Sequence, residues 1–484
     1  MHEHDFSLWI LPPTGKKHSS IQIEDFMVKV IKSRAVLPGE IVPSHRVLAR
    51  LNNVNRNTTL RAFTKLIATG WLSHSHGSKA VVADPLPNDT KKTSLPIMPD
   101  LLPKPLLPNH TEAIGMQKMS PLDFIRIGSS TIQHRPDYLR RALFASSRRN
   151  LEEQENYSST ILTANILSHL KLRNFSIQPE HLLVIRGRSD CLKSIFKILY
   201  AEKNVILNTA PCDKVVSSII QQFSQHSIAM DMGTPDFLIK MEQLLEKTKI
   251  GIVYLRPRAC YPTCRSLDEA TCQRLIELAK KYQFYIIEED DDHEFWWGKS
   301  PSIPLVFQDH GGFVIHCAAL SRSSPYMQHL RTVIAQEQLI SSLKVLPDSK
   351  HGYQDYMEER SISQLLRDNG LISVSRQARL SKQKDLKKLY QILQLQLGPY
   401  IEYDRPDHGT ALWINFPKTI DLKRSFELLK IEGFQLKLST NLRKQNATIH
   451  TLHLDITNFD ETECRRISIK LRSLLKSHKT ANKK

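Results

Sequence analysis

The chain has 484 residues, 40% of them hydrophobic, with 67 Lys and Arg against 49 Asp and Glu, a formal charge of +18. That length suffices for two or three domains with a large core, and no apolar run approaches the ~18–20 residues needed to cross a membrane. The first twenty residues lack the basic start and long apolar run of a signal peptide, so a cytoplasmic protein is expected. Seven cysteines, an odd number spread over a long chain, argue for reduced thiols. Cys260, Cys264 and Cys272 lie close together without zinc-ligand spacing. The cationic excess favours a polyanion such as nucleic acid, although a generally basic surface has the same composition. Only 17 glycines occur, few for the phosphate-cradling loops of a cofactor enzyme.

Residues 15–84 read as one compact unit. Ile23, Phe26, Val30 and Ile31 give a first helix, from Ile21 to about Ser33, one apolar face. LPGE breaks it. Ser44 caps a second helix striped by Val47, Leu48 and Leu51, and Asn55 caps a third, RNTTLRAFTKLIATG, ending at Gly70. On the third, Leu60, Phe63 and Ile67 are expected inward, leaving Arg56, Asn57, Thr58, Arg61 and Lys65 outward. WLSHSHGSKAVVAD reads as a hairpin with its tip near Gly77–Lys79. Two short helices, a turn, a polar-faced third helix and a hairpin make a winged helix-turn-helix. Arg, Asn and Thr at the start of the third helix are the side chains that reach base edges and phosphates in a major groove. A solvated face on a small helical bundle is the plainer alternative.

This segment, LPGEIVPSHRVLARLNNVNRNTTLRAFTKLIATGWL with its hairpin, resembles the GntR family of winged-helix repressors. The resemblance implies DNA contacts from Arg46, Arg56, Asn57 and Thr58, with the wing at Gly77 through Lys79. Lys79 stands where the family usually has glycine. Arg61 joins the expected DNA-facing set.

Residues 85–120 form a Pro-rich linker, semi-rigid by composition or a strap on the following domain. Residues 121–480 then read as one large α/β unit. HLLVI, NVIL, GIVYL, FYII and FVIHC are buried strands separated mostly by helical patterns, including a Ser266–Glu269 capping box. After about residue 350 the pattern changes to a smaller α+β lobe. The last twenty residues carry eight cations and no carboxylate, as a basic amphipathic helix and tail.

The stretch FYIIEEDDDHEFWW places Glu288 through Asp292 at a strand's carboxyl end, where ligands of such sheets bind. A metal site needs converging ligands, and consecutive extended residues point alternately away from one another. The whole chain resembles the MocR subfamily of GntR regulators, in which a winged helix is joined to a fold-type I aminotransferase-like domain. The carriers are YLRRAL, LLVIRGRSDCLKSIF, the block IVYLRPRACYPTCRSLDEATCQRLIELAKKYQFYIIEEDDDHEFWW and VIHCAALSRSSPYMQHLR. The resemblance implies pyridoxal phosphate as the family cofactor, double-stranded operator DNA as partner, a head-to-tail homodimer and a small-molecule effector.

Position by position, the cofactor chemistry departs from that pattern. The aspartate facing the pyridine nitrogen becomes Glu289, and the tyrosine for the ring oxygen becomes Asp291. The Schiff-base lysine becomes Arg322, a permanently protonated guanidinium that cannot form an aldimine. The phosphate loop becomes Gly187, Arg188 and Ser189. The stacking tyrosine becomes Cys212, and the Pro-Thr-Gly turn becomes Pro262, Thr263 and Cys264. The substrate-carboxylate arginine becomes His453. Arg331 matches a phosphate-binding arginine after a two-residue insertion. The expected reading is a DNA-binding regulator, not an enzyme, with no covalently bound cofactor. The alternative is a working pyridoxal-dependent aminotransferase or pyridoxal-responsive regulator. Arg322 is expected to pair with Asp291 or Glu289, because unpaired buried charges are costly.

Overall fold

The structure is a computed structural model. It describes residues 7–12, 18–32, 36, 40–74, 80–83, 93–94, 124–127, 159–173, 175–200, 205–209, 212–223, 227–232, 234, 236–298, 301–324, 327–346, 356–367, 370–420, 422–431, 436–439 and 449–481.

Helices α1 (Ser20–Lys32), α2 (His45–Leu51) and α3 (Arg56–Ala68) form the first unit. Ser44 caps α2 by accepting the Val47 N–H, and Asn55 caps α3 by accepting that of Asn57 at 2.8 Å. Gly70, at φ +85°, closes α3. Its N–H donates to Ile67 O, and the Trp71 N–H to Leu66 O, the paired bonds of a left-handed helix terminus. The buried face differs from the expected one. Thr59, Ala62, Phe63 and Leu66 are buried, whereas Leu60 is 45% exposed. Thr59 can lie inside because its hydroxyl donates to His45 O at 2.9 Å. On α2, Leu48 is buried and Leu51 lies at the surface. Strands β1 (Leu72–His74) and β2 (Ala80–Val82) pair antiparallel, and residues 40–42 bond along β2. The core also takes in Trp9 and Leu11, which precede residue 15.

In the segment expected to be a linker, β3 (Thr93–Ser94) runs beside β5 (Phe175–Ser176) in parallel. β4 (Phe124–Ile127) belongs to a different sheet, described below. Helix α4 is Ser159–Leu172.

The large sheet is built from β6 (Leu182–Arg186), β7 (Val205–Thr209), β8 (Ser227–Met230), β9 (Ile250–Leu255), β10 (Tyr285–Glu289), β11 (Val314–Ala319) and β12 (Leu330–Ile334). Their order is β6-β12-β11-β10-β9-β7-β8, and β12 alone among these seven runs opposite to the other six. The five expected strands are present. β8 and β12 are additional: β8 is short, and β12 carries Arg331 and Thr332 in its middle, which hides it from a hydropathy reading. Helices α5 (Arg188–Leu199), α6 (Lys214–Phe223), α7 (Phe237–Leu245), α8 (Glu269–Tyr282) and α9 (Glu337–Val345) also belong to this domain. The cap of α8 is Asp268, which accepts the Thr271 N–H at 2.7 Å. Ser266, the expected cap, instead donates to Arg258 O at 2.5 Å.

Helices α10 (Tyr356–Arg367) and α11 (Gly370–Leu397) lead to a four-stranded sheet in the order β13 (Ala411–Asn415), β15 (Thr451–Asp455), β4, β14 (Leu436–Ser439). The smaller lobe is thus not confined to residues after about 350, because β4 comes from ahead of the large sheet. Helices α12 (Leu422–Ile431) and α13 (Glu461–Ala481) accompany this lobe, which has its own core around Leu389, Leu412, Ile414 and Phe426. Full burial of such side chains contributes about 1.5–3 kcal/mol each, so this lobe has a substantial core of its own.

Candidate functional site

The first candidate surface lies on α2 and α3. Arg46, Arg56, Asn57 and Arg61 are exposed, and Thr58 is half-buried. Capping by Asn55 fixes the start of α3, so Arg56, Asn57 and Thr58 occupy its first turn. Lys65 is taken out of this set by an ion pair with Glu24 at 2.7 Å. Gly77 and Lys79 lie outside the described residues.

The second candidate lies at the carboxyl ends of the large sheet. Registers Glu289↔Cys317 and Ala319↔Arg331 place Glu289, Cys317, Ala319 and Arg331 on one face. Glu288 and His316 take the other, where Glu288 accepts the N–H groups of Leu305 (2.9 Å) and Val306 (3.2 Å). The acidic stretch is therefore divided between two faces.

Glu289 is fully engaged. Arg188 donates to it through Nε at 2.5 Å and Nη2 at 2.6 Å, Tyr254 through its hydroxyl at 2.5 Å, and Arg331 through Nη2 at 3.0 Å. Burial alone would raise its carboxyl, but Arg188 and then Arg331 hold it below the usual range. Arg188 also grips Asp213 at 2.6 Å, and Asp213 in turn accepts the Val215 and Val216 N–H groups at the start of α6. Gly187, at φ +82°, turns the chain into α5, and a Cβ there would meet Asp190 Oδ2 at 2.9 Å. Half-buried Cys212 flanks Asp213, and burial pushes its thiol up to about 12.

Asp291 pairs with Arg331 at 2.6 Å and accepts the Ala319 N–H at 3.0 Å. Despite its burial, which acts the other way, the Arg331 and Arg256 charges keep this carboxyl well below the usual range. Arg322 is not its partner, nor that of Glu289. Its guanidinium goes to Asp292, Thr410 and Thr457, and Asp292 also holds Arg256 at 2.8 Å. The expected pairing is corrected in its partners: after β10 the chain turns, and successive carboxylates fan out, Asp291 toward β12 and Asp292 toward the smaller lobe. Arg322 remains largely buried, with 13% of its side chain exposed. Four guanidiniums (Arg188, Arg256, Arg322, Arg331) thus face four carboxylates (Asp213, Glu289, Asp291, Asp292).

His453, where the resemblance puts a substrate-binding arginine, is buried, its ring 5.8 Å from that of Tyr261. Sequence reasoning missed Asp213, Tyr254 and Arg256, and it placed Asp292 at the strand end without its Arg322 and Arg256 partners. Arg256 directly follows β9, a position that could have marked it. The others become partners only through the fold. Among the described residues no three His, Cys, Asp or Glu side chains are placed to hold a metal ion. No described helix is long and apolar enough to cross a membrane.

No protein-family model matches the chain. It is similar to the uncharacterised helix-turn-helix-type transcriptional regulator YisV of Bacillus subtilis, 24% identical over 433 residues, covering 84% of this chain and 86% of YisV. It is also similar to the helix-turn-helix-type transcriptional regulator NorG of Staphylococcus aureus, 20% identical over 399 residues, covering 81% of this chain and 90% of NorG. Among solved structures, the α-aminoadipate aminotransferase LysN of Thermus thermophilus, complexed with N-(5'-phosphopyridoxyl)-L-leucine, superposes with a TM-score of 0.63 at 16% identity, over 74% of this chain and 93% of that one. An archaeal alanine:glyoxylate aminotransferase superposes with a TM-score of 0.64 at 17% identity, over 73% of this chain and 91% of that one. The chain is therefore similar over most of its length to helix-turn-helix-type transcriptional regulators, and its large domain has the fold of the fold-type I aminotransferases.

Proposed function

We propose that this protein is a sequence-specific, DNA-binding transcription regulator acting in the cytoplasm. In this reading residues 15–84 bind operator DNA through Arg46, Arg56, Asn57, Thr58, Arg61 and Lys79, and residues 85–120 tether them. Residues 121–480 serve as a dimerisation and effector-sensing scaffold without covalently bound pyridoxal phosphate. The head-to-tail dimer and the effector rest on the family resemblance. The regulator names of the relatives and the exposed polar start of α3 support the DNA half.

The observation that carries the non-enzymatic half is the full engagement of Glu289. In fold-type I enzymes a carboxylate at this strand end meets the cofactor's ring nitrogen. Here both Glu289 oxygens already accept from two guanidiniums and a phenol. Arg322 offers no neutral amine for a Schiff base. Arg188, at the phosphate-loop position, is turned onto Glu289 and Asp213. The residues present therefore do not fit pyridoxal phosphate. Genomic footprinting of the tagged protein, with absorbance spectra of the purified protein plus pyridoxal phosphate, tests both halves. The expected outcome is a discrete set of protected promoters and no aldimine absorbance.

A further inference from the structure

Two consecutive residues of one helix face two different parts of the molecule. Ser375 and Arg376 are neighbours on α11, about 100° apart around its axis. The Ser375 hydroxyl donates to Glu294, a buried carboxylate at the end of the acidic stretch. Glu294 also accepts the Arg322 N–H at 2.7 Å, the Ser323 N–H at 2.8 Å and the Ser321 hydroxyl at 2.8 Å. It therefore shapes the loop that carries Arg322. Arg376 donates to the carbonyl of Ile67, in the last turn of α3. One turn further along α11, the Arg379 guanidinium stacks 3.8 Å above the ring of Trp296, two residues after Glu294.

Each contact has a physical reason. Carbonyls in the last turn of a helix lack intrahelical donors and carry the negative end of its dipole, so a cation there satisfies both needs. Ile67 O receives one donor from Gly70, at 3.2 Å, and a second from Arg376. The Ser375 hydroxyl has one proton and two acceptors in reach, Glu294 and Leu371 O at 2.9 Å. The carboxylate is the stronger acceptor, since hydrogen bonds to ionised groups are roughly twice as strong as neutral ones. No carboxylate among the described residues forms an ion pair with Arg376 or Arg379, and burial lowers the pKa of both. Holding two like charges side by side in this half-buried place is unfavourable unless the Ile67 carbonyl and the Trp296 ring compensate.

We infer that α11 is the mechanical link between the strand-end pocket and the recognition helix, with Ser375 and Arg376 as positioning residues that transmit the state of the Glu294–Arg322 loop to α3. This rests on the reading of α3 as the DNA-reading helix, but the coupling is measurable without DNA. A displacement of the Arg322 loop moves Glu294, releases the Ser375 hydroxyl to Leu371 and shifts the turn of α11 that holds Ile67.

The test is hydrogen exchange of the full-length protein, read at the amides of Thr69, Gly70 and Trp71. Arg376→Ala is expected to raise their exchange several-fold, and Arg376→Lys to restore protection, because an ammonium can also donate to the carbonyl. Ser375→Ala and Glu294→Gln, neither of which touches α3, are expected to raise exchange at the same amides. Adding Glu294→Gln to Arg376→Ala is expected to give no further increase there. Ser375→Ala is the milder lesion and stands alone where Glu294→Gln does not fold. Unchanged exchange at residues 69–71 in Ser375→Ala, with exchange around Arg322 increased, overturns the link. Additive rather than saturating effects in the double variant overturn it as well. Failure of the parent protein to bind DNA overturns the proposed function and leaves the exchange result to decide the link.

Discussion

Arg188 grips Glu289 with two of its nitrogens, at 2.5 and 2.6 Å, at the carboxyl end of the large sheet. Tyr254 and Arg331 complete the shell of Glu289. Removing one partner of a buried, hydrogen-bonded pair leaves a charge without compensation, which typically costs about 3–5 kcal/mol. Arg188→Ala is expected to lower stability toward the bottom of that range, because Arg331 and Tyr254 remain. The Glu289 pKa is held below its unfolded value, so the pair's contribution is present above about pH 4.3 and lost as pH falls through the folded value. Urea unfolding of parent and variant at neutral and acidic pH checks both the size and the convergence at low pH.

Arg322→Lys is expected not to create a yellow, aldimine-forming protein. The introduced amine would lie beside Asp292, whose charge favours the protonated form. Glu289 would still be occupied by Arg188. Spectra of the variant with added pyridoxal phosphate decide this. An aldimine band from that single substitution would falsify the argument that the pocket is closed by its own ion pairs.

Arg56→Ala is expected to weaken specific DNA binding by about 1–3 kcal/mol, the usual loss of a cation reaching a base or phosphate. If Arg56 contacts a phosphate, the salt dependence should also fall by about one counterion. Mobility-shift titrations at several salt concentrations measure both. Unchanged affinity after replacing Arg46 and Arg56 together would refute the assignment of α2 and α3 as the reading surface.

Burial holds three histidines far below their ordinary range: His169 near 3, His293 near 4 and His310 near 4. Each is neutral in the folded protein at neutral pH, and His310 Nδ1 must be unprotonated to accept the Gly312 and Val314 N–H groups. The unfolded chain takes up these protons first. Stability is therefore expected to fall as pH drops below about 6.5, by about 1.4 kcal/mol per pH unit for each histidine, until the folded values are reached. Between about pH 6.5 and 5 the depressed carboxylates do not contribute, because both their states are ionised, whereas buried Glu288, whose carboxyl is raised by burial, acts in the opposite direction and offsets part of the histidine slope. Denaturant midpoints across that window give the slope, and a flat profile would contradict it.

A dimer is expected from the full-length chain at micromolar concentration, since specific operators are commonly read by two recognition helices. Sedimentation equilibrium measures this directly, and a monomer would remove the head-to-tail assembly from the proposal.

The division between sequence and tertiary structure follows the range of the forces involved. Local signals marked what depends on neighbours along the chain. Ser44 and Asn55 cap their helices, Gly70 ends α3, and short apolar runs became β6, β7, β9, β10 and β11. Permanent charge at Arg322 was likewise legible, because a guanidinium is protonated whatever surrounds it. Which face of α3 is buried was not legible: Leu60 ends up exposed, while Thr59 is buried with His45 O there to accept its hydroxyl. Nor was β12, whose Arg331 can sit in a buried strand only because Glu289 and Asp291 arrive from β10 to neutralise it. Ion-pair partners were the least legible. Glu289, Asp291 and Asp292 are near neighbours in sequence, yet they meet Arg188, Arg331, Arg256 and Arg322, brought in by four other segments. A charge's need for a partner is fixed by its chemistry, whereas the partner's identity depends on which segments the sheet order places within about 4 Å, the reach of an ion pair.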